Sequence, residues 1–273
     1  MNNAPTALAQ TLTLEDFHQD KAAIASSFGK AAATYDKHAA FQRDVGHRLL
    51  DKIAANLAGK RVLDLGCGTG YFSQLLQRRG AEVVCGDISQ AMLDKAEQRC
   101  GAVRMNYQVA DAENLPFDDD SFDYVFSSLA LQWCTDLSYP LKEVRRVLKN
   151  GGKAWLSTLV DGSLCELRTS WGKIDAYQHV NNFLTLNQVK FALAQSRCDN
   201  YQLDLTTITV WYDSVFSIMR DLKGIGANHV SGRSHGLTSR ETLLQVEHAY
   251  QAFKNDQGLL PASYQVCFGV IHL

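Results

Sequence analysis

The chain is 273 residues long, 46% hydrophobic and 21% charged, the composition of an ordinary globular protein able to bury a large core. A net charge of −2 without any basic block gives no electrostatic case for nucleic-acid binding. No apolar run approaches the ~20 residues of a membrane helix, and Met1 to Gln10 lacks the basic and apolar regions of a signal peptide. The seven cysteines are scattered and show no C-x-x-C pair, so they read as reduced thiols of a cytoplasmic protein, with no metal site.

Residues 1–20 read as a flexible extension, and Lys21 to about Ala58 as helical, with Ile24, Phe28, Ala32 and Tyr35 spaced by three or four. From Lys60 to Gly152 strands and helices alternate, the pattern of a doubly wound, mostly parallel α/β sheet. Strands are expected at Arg61–Leu65, Glu82–Asp87, Tyr107–Ala110, Phe122–Ser127 and Lys153–Leu159, with helices at Tyr71–Arg79, Gln90–Gln98 and Tyr139–Val147. Gly151 and Gly152 are expected to close the last of these helices, behind Arg145, Arg146 and Lys149. Beyond Val160 the periodicity loosens. Helices are expected over 163–177, 185–196, 214–222 and 239–253, strands over 201–212 and 264–271, and a polar loop up to about Leu237. The whole reads as one domain over 21–273, with a cofactor-binding core at 60–160 and a partly helical substrate side at 161–260.

The most informative stretch is Val62-Leu63-Asp64-Leu65-Gly66-Cys67-Gly68-Thr69-Gly70-Tyr71. An apolar strand breaks into three glycines and then a helix, the turn by which an α/β sheet cradles a nucleotide-like cofactor against bare main chain. A dinucleotide fingerprint needs its third glycine where Tyr71 stands. Asp87 ends the second strand 21 residues after Gly66, placed to accept both hydroxyls of a ribose. Asp111-Ala112 ends the third, where the carboxylate can accept from an adenine amino group, and Ile88 and Met92 supply apolar walls. Asp64, Asp87 and Asp111 along one sheet edge would repel a pyrophosphate but tolerate a sulfonium, an amine and two hydroxyls. The charge pattern therefore selects S-adenosylmethionine.

The glycine turn also resembles the first motif of the class I S-adenosylmethionine-dependent methyltransferases, which implies their Rossmann-like fold. The flanks are more specific: Phe28-Gly29 through Tyr35-Asp36, Ser127-Ser128-Leu129-Ala130-Leu131-Gln132-Trp133, Gly162-Ser163-Leu164, Met219-Arg220 through Ala227, and Leu260-Pro261 with Tyr264. Together, over nearly all of 21–273, they resemble the malonyl-acyl-carrier-protein O-methyltransferases of biotin synthesis (BioC type). Ser128 departs from that pattern, where Asn is expected. The resemblance implies methylation of the free carboxylate of a malonyl thioester presented by acyl-carrier protein. Tyr35 is then expected to close over the cofactor and Gln132 and Trp133 to line the methyl channel. His179 and Asn181 would bond the acceptor, and Arg220 and Lys223 would grip its carboxylate. An ionised carboxylate needs no general base, so no acid–base dyad is expected. The expected enzyme is a monomer. Its alternative is a methyltransferase acting on a quinone precursor or another small carboxylic acid, which would lack the late motifs.

Overall fold

The computed structural model describes residues 14–227 and 239–273. Helix α1 (Leu14–Ala31), the single turn α2 (Tyr35–His38) and α3 (Ala40–Leu50) lead into β1 (Arg61–Leu65), α4 (Tyr71–Arg78), β2 (Glu82–Asp87), α5 (Gln90–Cys100) and β3 (Met105–Val109). Then come β4 (Phe122–Ser128), α6 (Ser138–Val147), β5 (Leu148–Val160), α7 (Cys165–Trp171) and α8 (Leu186–Gln195). The order closes with β6 (Tyr201–Tyr212), α9 (Val215–Gly224), α10 (Arg240–Tyr250) and β7 (Leu260–His272).

The strands form one seven-stranded sheet in the order β3-β2-β1-β4-β5-β7-β6. β1 to β5 run parallel, and β7 inserts antiparallel between β5 and β6. β1 sits at the reversal of strand order, where α/β sheets open a ligand crevice. Its residues are apolar on both faces because both are covered. Val62 packs with Leu49 of α3 and Leu76 of α4, whereas Leu63 and Leu65 pack with Val125 and with Leu141 and Val144 of α6.

Several boundaries differ from expectation for identifiable reasons. The amino-terminal helical stretch starts earlier, at Leu14, breaks at residues 32–34, and ends at Leu50. The expected loop up to Leu237 lies largely outside the described residues, as do residues 1–13 of the expected extension. Gly151 and Gly152 do not close a helix: α6 stops at Val147 because Leu148 is drawn into the sheet opposite Phe122. The two glycines instead carry the bulge that follows. Gly151 has φ +79°, and a Cβ on Gly152 would lie 2.7 Å from the Lys149 carbonyl. Only 165–171 of the expected 163–177 helix forms, β3 starts two residues earlier than expected, and β7 reaches back to Leu260.

The amino-terminal segment roofs the sheet edge above β1. Thr34 Oγ1 donates to the Gly224 carbonyl at 3.2 Å, and His38 Nδ1 lies 2.7 Å from Asp221 Oδ1, which joins α2 to α9. Among the described residues no helix is long and apolar enough to cross a membrane.

Candidate active site

The glycine loop is folded by its backbone. Gly66 and Cys67 amides both donate to the Gly86 carbonyl, at 2.7 and 3.1 Å, which ties the loop to β2. Gly66, Gly68 and Gly70 all have positive φ (+73°, +54° and +76°), the region that excludes most side chains. The three do different work. A Cβ on Gly66 would meet Ala130 Cβ at 2.3 Å, and one on Gly70 would meet Ala96 Cβ at 2.8 Å. On Gly68 it would find no atom nearer than the Tyr35 ring, at 4.0 Å, because that position faces open space.

That space is a cavity of about 780 Å³ along the carboxyl edge of the sheet. Tyr35, Gly66, Gly68, Asp87, Ile88, Met92, Asp111, Ala112 and Trp133 all line it. Asp87 accepts the Gly68 amide at Oδ2 and the Ser89 amide at Oδ1, each at 2.9 Å. Burial pushes its carboxyl up, and these amide bonds pull the other way. Asp64 and Gly70 do not line the cavity. Asp64 is 2% exposed and accepts the Ser73 hydroxyl at 2.5 Å, and burial pushes its carboxyl up to about 7. It braces the loop against α4 from beneath. Gly70 is the left-handed cap of α4, pressed onto α5.

Sequence reasoning missed the contribution of α1. Lys21, Ile24 and Phe28 line the same cavity, and Lys21 Nζ bonds Asp111 Oδ2 at 2.6 Å and pairs with Glu113. No sequence signal announces an ion pair spanning 90 positions, although the apolar spacing of Ile24 and Phe28 marks the helix face that turns inward. Asp36 reinforces the roof: it accepts the Thr69 hydroxyl at 2.7 Å and pairs with Arg99. Cys134 also lines the cavity, but burial pushes its thiol up and Glu113 and Asp111 add to that, which disfavours the thiolate.

A second cavity, of about 690 Å³, shares Phe28, Tyr35, Leu129 and Trp133 with the first. An aromatic partition therefore stands between the two, with Phe28 and Trp133 edge to face at 5.2 Å. Gln132, His179 and Asn181 line it, together with Gln42, Phe41 and Tyr264, the last two stacked at 3.9 Å. His179 is held by Asp175 (2.9 Å) and lies flat on Trp171 (3.6 Å). Asn181 gives its carbonyl to Arg168 Nη2 at 2.9 Å.

The structure does not bring Arg220 and Lys223 to this cavity. Both lie on the exposed side of α9, and neither lines the cavity, because the inward face of α9 and the turn after it is Leu222, Ile225 and Ala227. Among the described residues, no lysine or arginine lines this cavity at all.

The first cavity fits S-adenosylmethionine. Gly68 leaves room for a ligand against the main chain, two carboxylates stand at strand ends, and Lys21, which also lines the cavity, is already matched by Asp111 and Glu113. Fold and site define a class I methyltransferase with S-adenosylmethionine as cofactor. A methyltransferase-domain family matches residues 63–156. A malonyl-acyl-carrier-protein O-methyltransferase of Serratia marcescens is 44% identical over 254 residues, covering 93% of this chain and 96% of that one. The biotin biosynthesis bifunctional protein BioHC of Cellvibrio japonicus is 41% identical over 94% of this chain, which spans 52% of that protein's length. Among solved structures, the YcgJ protein of Bacillus subtilis matches with a TM-score of 0.61 at 19% identity, covering 84% of this chain and 98% of that one, a likeness of fold. The chain belongs to the malonyl-acyl-carrier-protein O-methyltransferase family.

Proposed function

We propose that this protein transfers the methyl group of S-adenosylmethionine to the free carboxylate of malonyl carried on acyl-carrier protein, giving the malonyl methyl ester. The observation that carries this reading is the second cavity, which adjoins the cofactor cavity and is lined by aromatic and aliphatic side chains together with Gln42, Gln132, His179 and Asn181.

Bound in the first cavity, the cofactor supplies an electrophilic methyl group on a sulfonium. In this reading Tyr35, Gly66, Gly68, Asp87, Ile88, Met92, Asp111 and Ala112 hold it, and α1 excludes water above it. The acceptor, with an ordinary carboxyl pKa of ~4, arrives ionised and needs no base. Transfer joins an anion to a cation, so charge disappears on the way to the transition state. A water-poor cavity favours that change, and a lysine or arginine on the carboxylate would oppose it by stabilising the starting anion. Gln42, whose carboxamide oxygen is buried with no partner, can turn its N–H₂ to the carboxylate as a neutral donor. Gln132, Trp133, His179 and Asn181 shape the rest, and alignment supplies the catalysis.

Arg220 and Lys223 stand outside the cavity, where exposed cations suit an acidic carrier protein. The protein works in this reading as a cytoplasmic monomer, one domain over 21–273 with its cofactor core at 60–160 and its substrate side at 161–260. Methyl transfer from labelled S-adenosylmethionine to malonyl-, succinyl- and acetyl-carrier protein tests the proposal. A base-labile methyl ester on the malonyl form alone is expected; turnover of none of the three, with cofactor binding intact, overturns it.

A further inference from the structure

Gln132 lies in the short 3-10 turn Leu131–Trp133 that follows β4. Its carboxamide cannot turn over. Nε2 donates to the Leu129 carbonyl at 2.7 Å, and only a nitrogen can sit that close to a carbonyl oxygen. Oε1 is therefore directed away from that bond. It is buried and has no hydrogen-bond partner among the described residues. Gln132 lines the second cavity and not the first. A buried acceptor left without a donor is costly, and on a residue that lines a cavity a ligand's N–H can supply the donor.

The chemistry of the acceptor then narrows the choice. A malonyl thioester offers a carboxylate and a thioester carbonyl, both of which only accept. Neither satisfies an amide oxygen. Gln42 differs, since its carboxamide is not pinned and can present either end. Gln132 requires an N–H, and what remains of the substrate is the arm that presents malonyl.

We propose that Gln132 is a specificity-determining contact to the thioester arm, its Oε1 accepting a hydrogen bond from an amide N–H of that arm. The inference rests on the malonyl-thioester reading above. It separates a carrier-borne malonyl group from free malonate by a hydrogen bond rather than by charge.

The test compares two small malonyl thioesters. One is the N-acetylcysteamine thioester, which keeps an amide N–H; the other is its isostere with CH₂ in place of that N–H. The wild type is expected to favour the first in kcat/KM by about tenfold, the worth of one buried hydrogen bond. Equal kcat/KM for the two overturns the proposal without any variant. Gln132→Met is expected to erase the preference by raising KM for the amide thioester about tenfold more than for the CH₂ thioester, with the Kd of S-adenosylhomocysteine unchanged. A preference that persists in Gln132→Met overturns the assignment. So does a rise in the S-adenosylhomocysteine Kd matching the loss, because the donor would then be the cofactor's ammonium. If the wild type methylates neither thioester nor malonyl-carrier protein, the malonyl reading itself falls, and this proposal with it.

Discussion

Asp87 Oδ2 accepts the backbone amide of Gly68 at 2.9 Å, so the carboxylate that ends β2 holds in place the loop that follows β1. Its second oxygen accepts the amide of Ser89 at the start of α5. One side chain thus fixes both walls of the cofactor cavity, and any ribose contact would be made by a carboxylate already set in position. Hydrogen bonds to a charged group contribute roughly 1.5–3 kcal/mol each. Asp87→Ala is expected to weaken S-adenosylhomocysteine binding by about a hundredfold and Asp87→Asn, which keeps one acceptor, by about tenfold. Calorimetric titration reads both, and equal losses in the two variants would contradict the ordering.

Gly66 and Gly68 should respond differently to the same substitution. Alanine at either position enters the left-handed region at a cost of roughly 1–2 kcal/mol. At Gly66 the new methyl also collides with Ala130 at 2.3 Å, so Gly66→Ala should lower the melting temperature markedly. At Gly68 the methyl projects into the cofactor's space and meets only the Tyr35 ring at 4.0 Å. Gly68→Ala should fold with a small loss of stability and bind cofactor poorly. Paired thermal melts and binding curves decide it; a Gly68→Ala protein with unchanged affinity would remove Gly68 from the binding surface.

Asp64 makes stability depend on pH in a direction opposite to a surface-paired carboxylate. Its folded carboxyl is pushed up to about 7 by burial, above the ordinary value near 3.8. The folded state therefore holds a proton that the unfolded state has released. Stability falls as pH rises from about 4 to about 7, by about 4 kcal/mol in all, and stays flat above that range. Asp64→Asn does not titrate, so it should gain on the wild type across this window in the cofactor-free protein. Urea denaturation at pH 4.5, 6 and 7.5 measures the difference, and parallel curves for the two proteins would refute it.

The parts of the molecule legible in the sequence are those whose physics is local. The glycine loop declares itself because only glycine occupies three closely spaced positive-φ positions, and Asp87 and Asp111 follow from the ends of apolar runs. Gly151 and Gly152 misled because a helix stop and a strand bulge call for the same residue. The choice between them lay in Leu148, whose pairing with Phe122 is a long-range fact. The placement of Arg220 and Lys223 turns on a related point. Their motif fixed the α9 turn, but which face of a helix turns inward is set by partners such as His38, whose ring a Cβ on Gly224 would strike at 2.3 Å, and Phe28, whose main chain one on Gly226 would meet at 3.0 Å. Lys21 was invisible, since nothing in a lone lysine forecasts Asp111 ninety positions away.

The sheet's spatial order also differs from its order of manufacture. β6 is bordered only by β7, and β7 is the last of the seven strands to be synthesised. When β6 leaves the ribosome it has no neighbour to join, and the β5 edge stays open until β7 slides in between. Tyr264, which lines the second cavity, rides on that same strand. A nascent chain could therefore shape its cofactor cleft early while the acceptor cavity still lacked a wall.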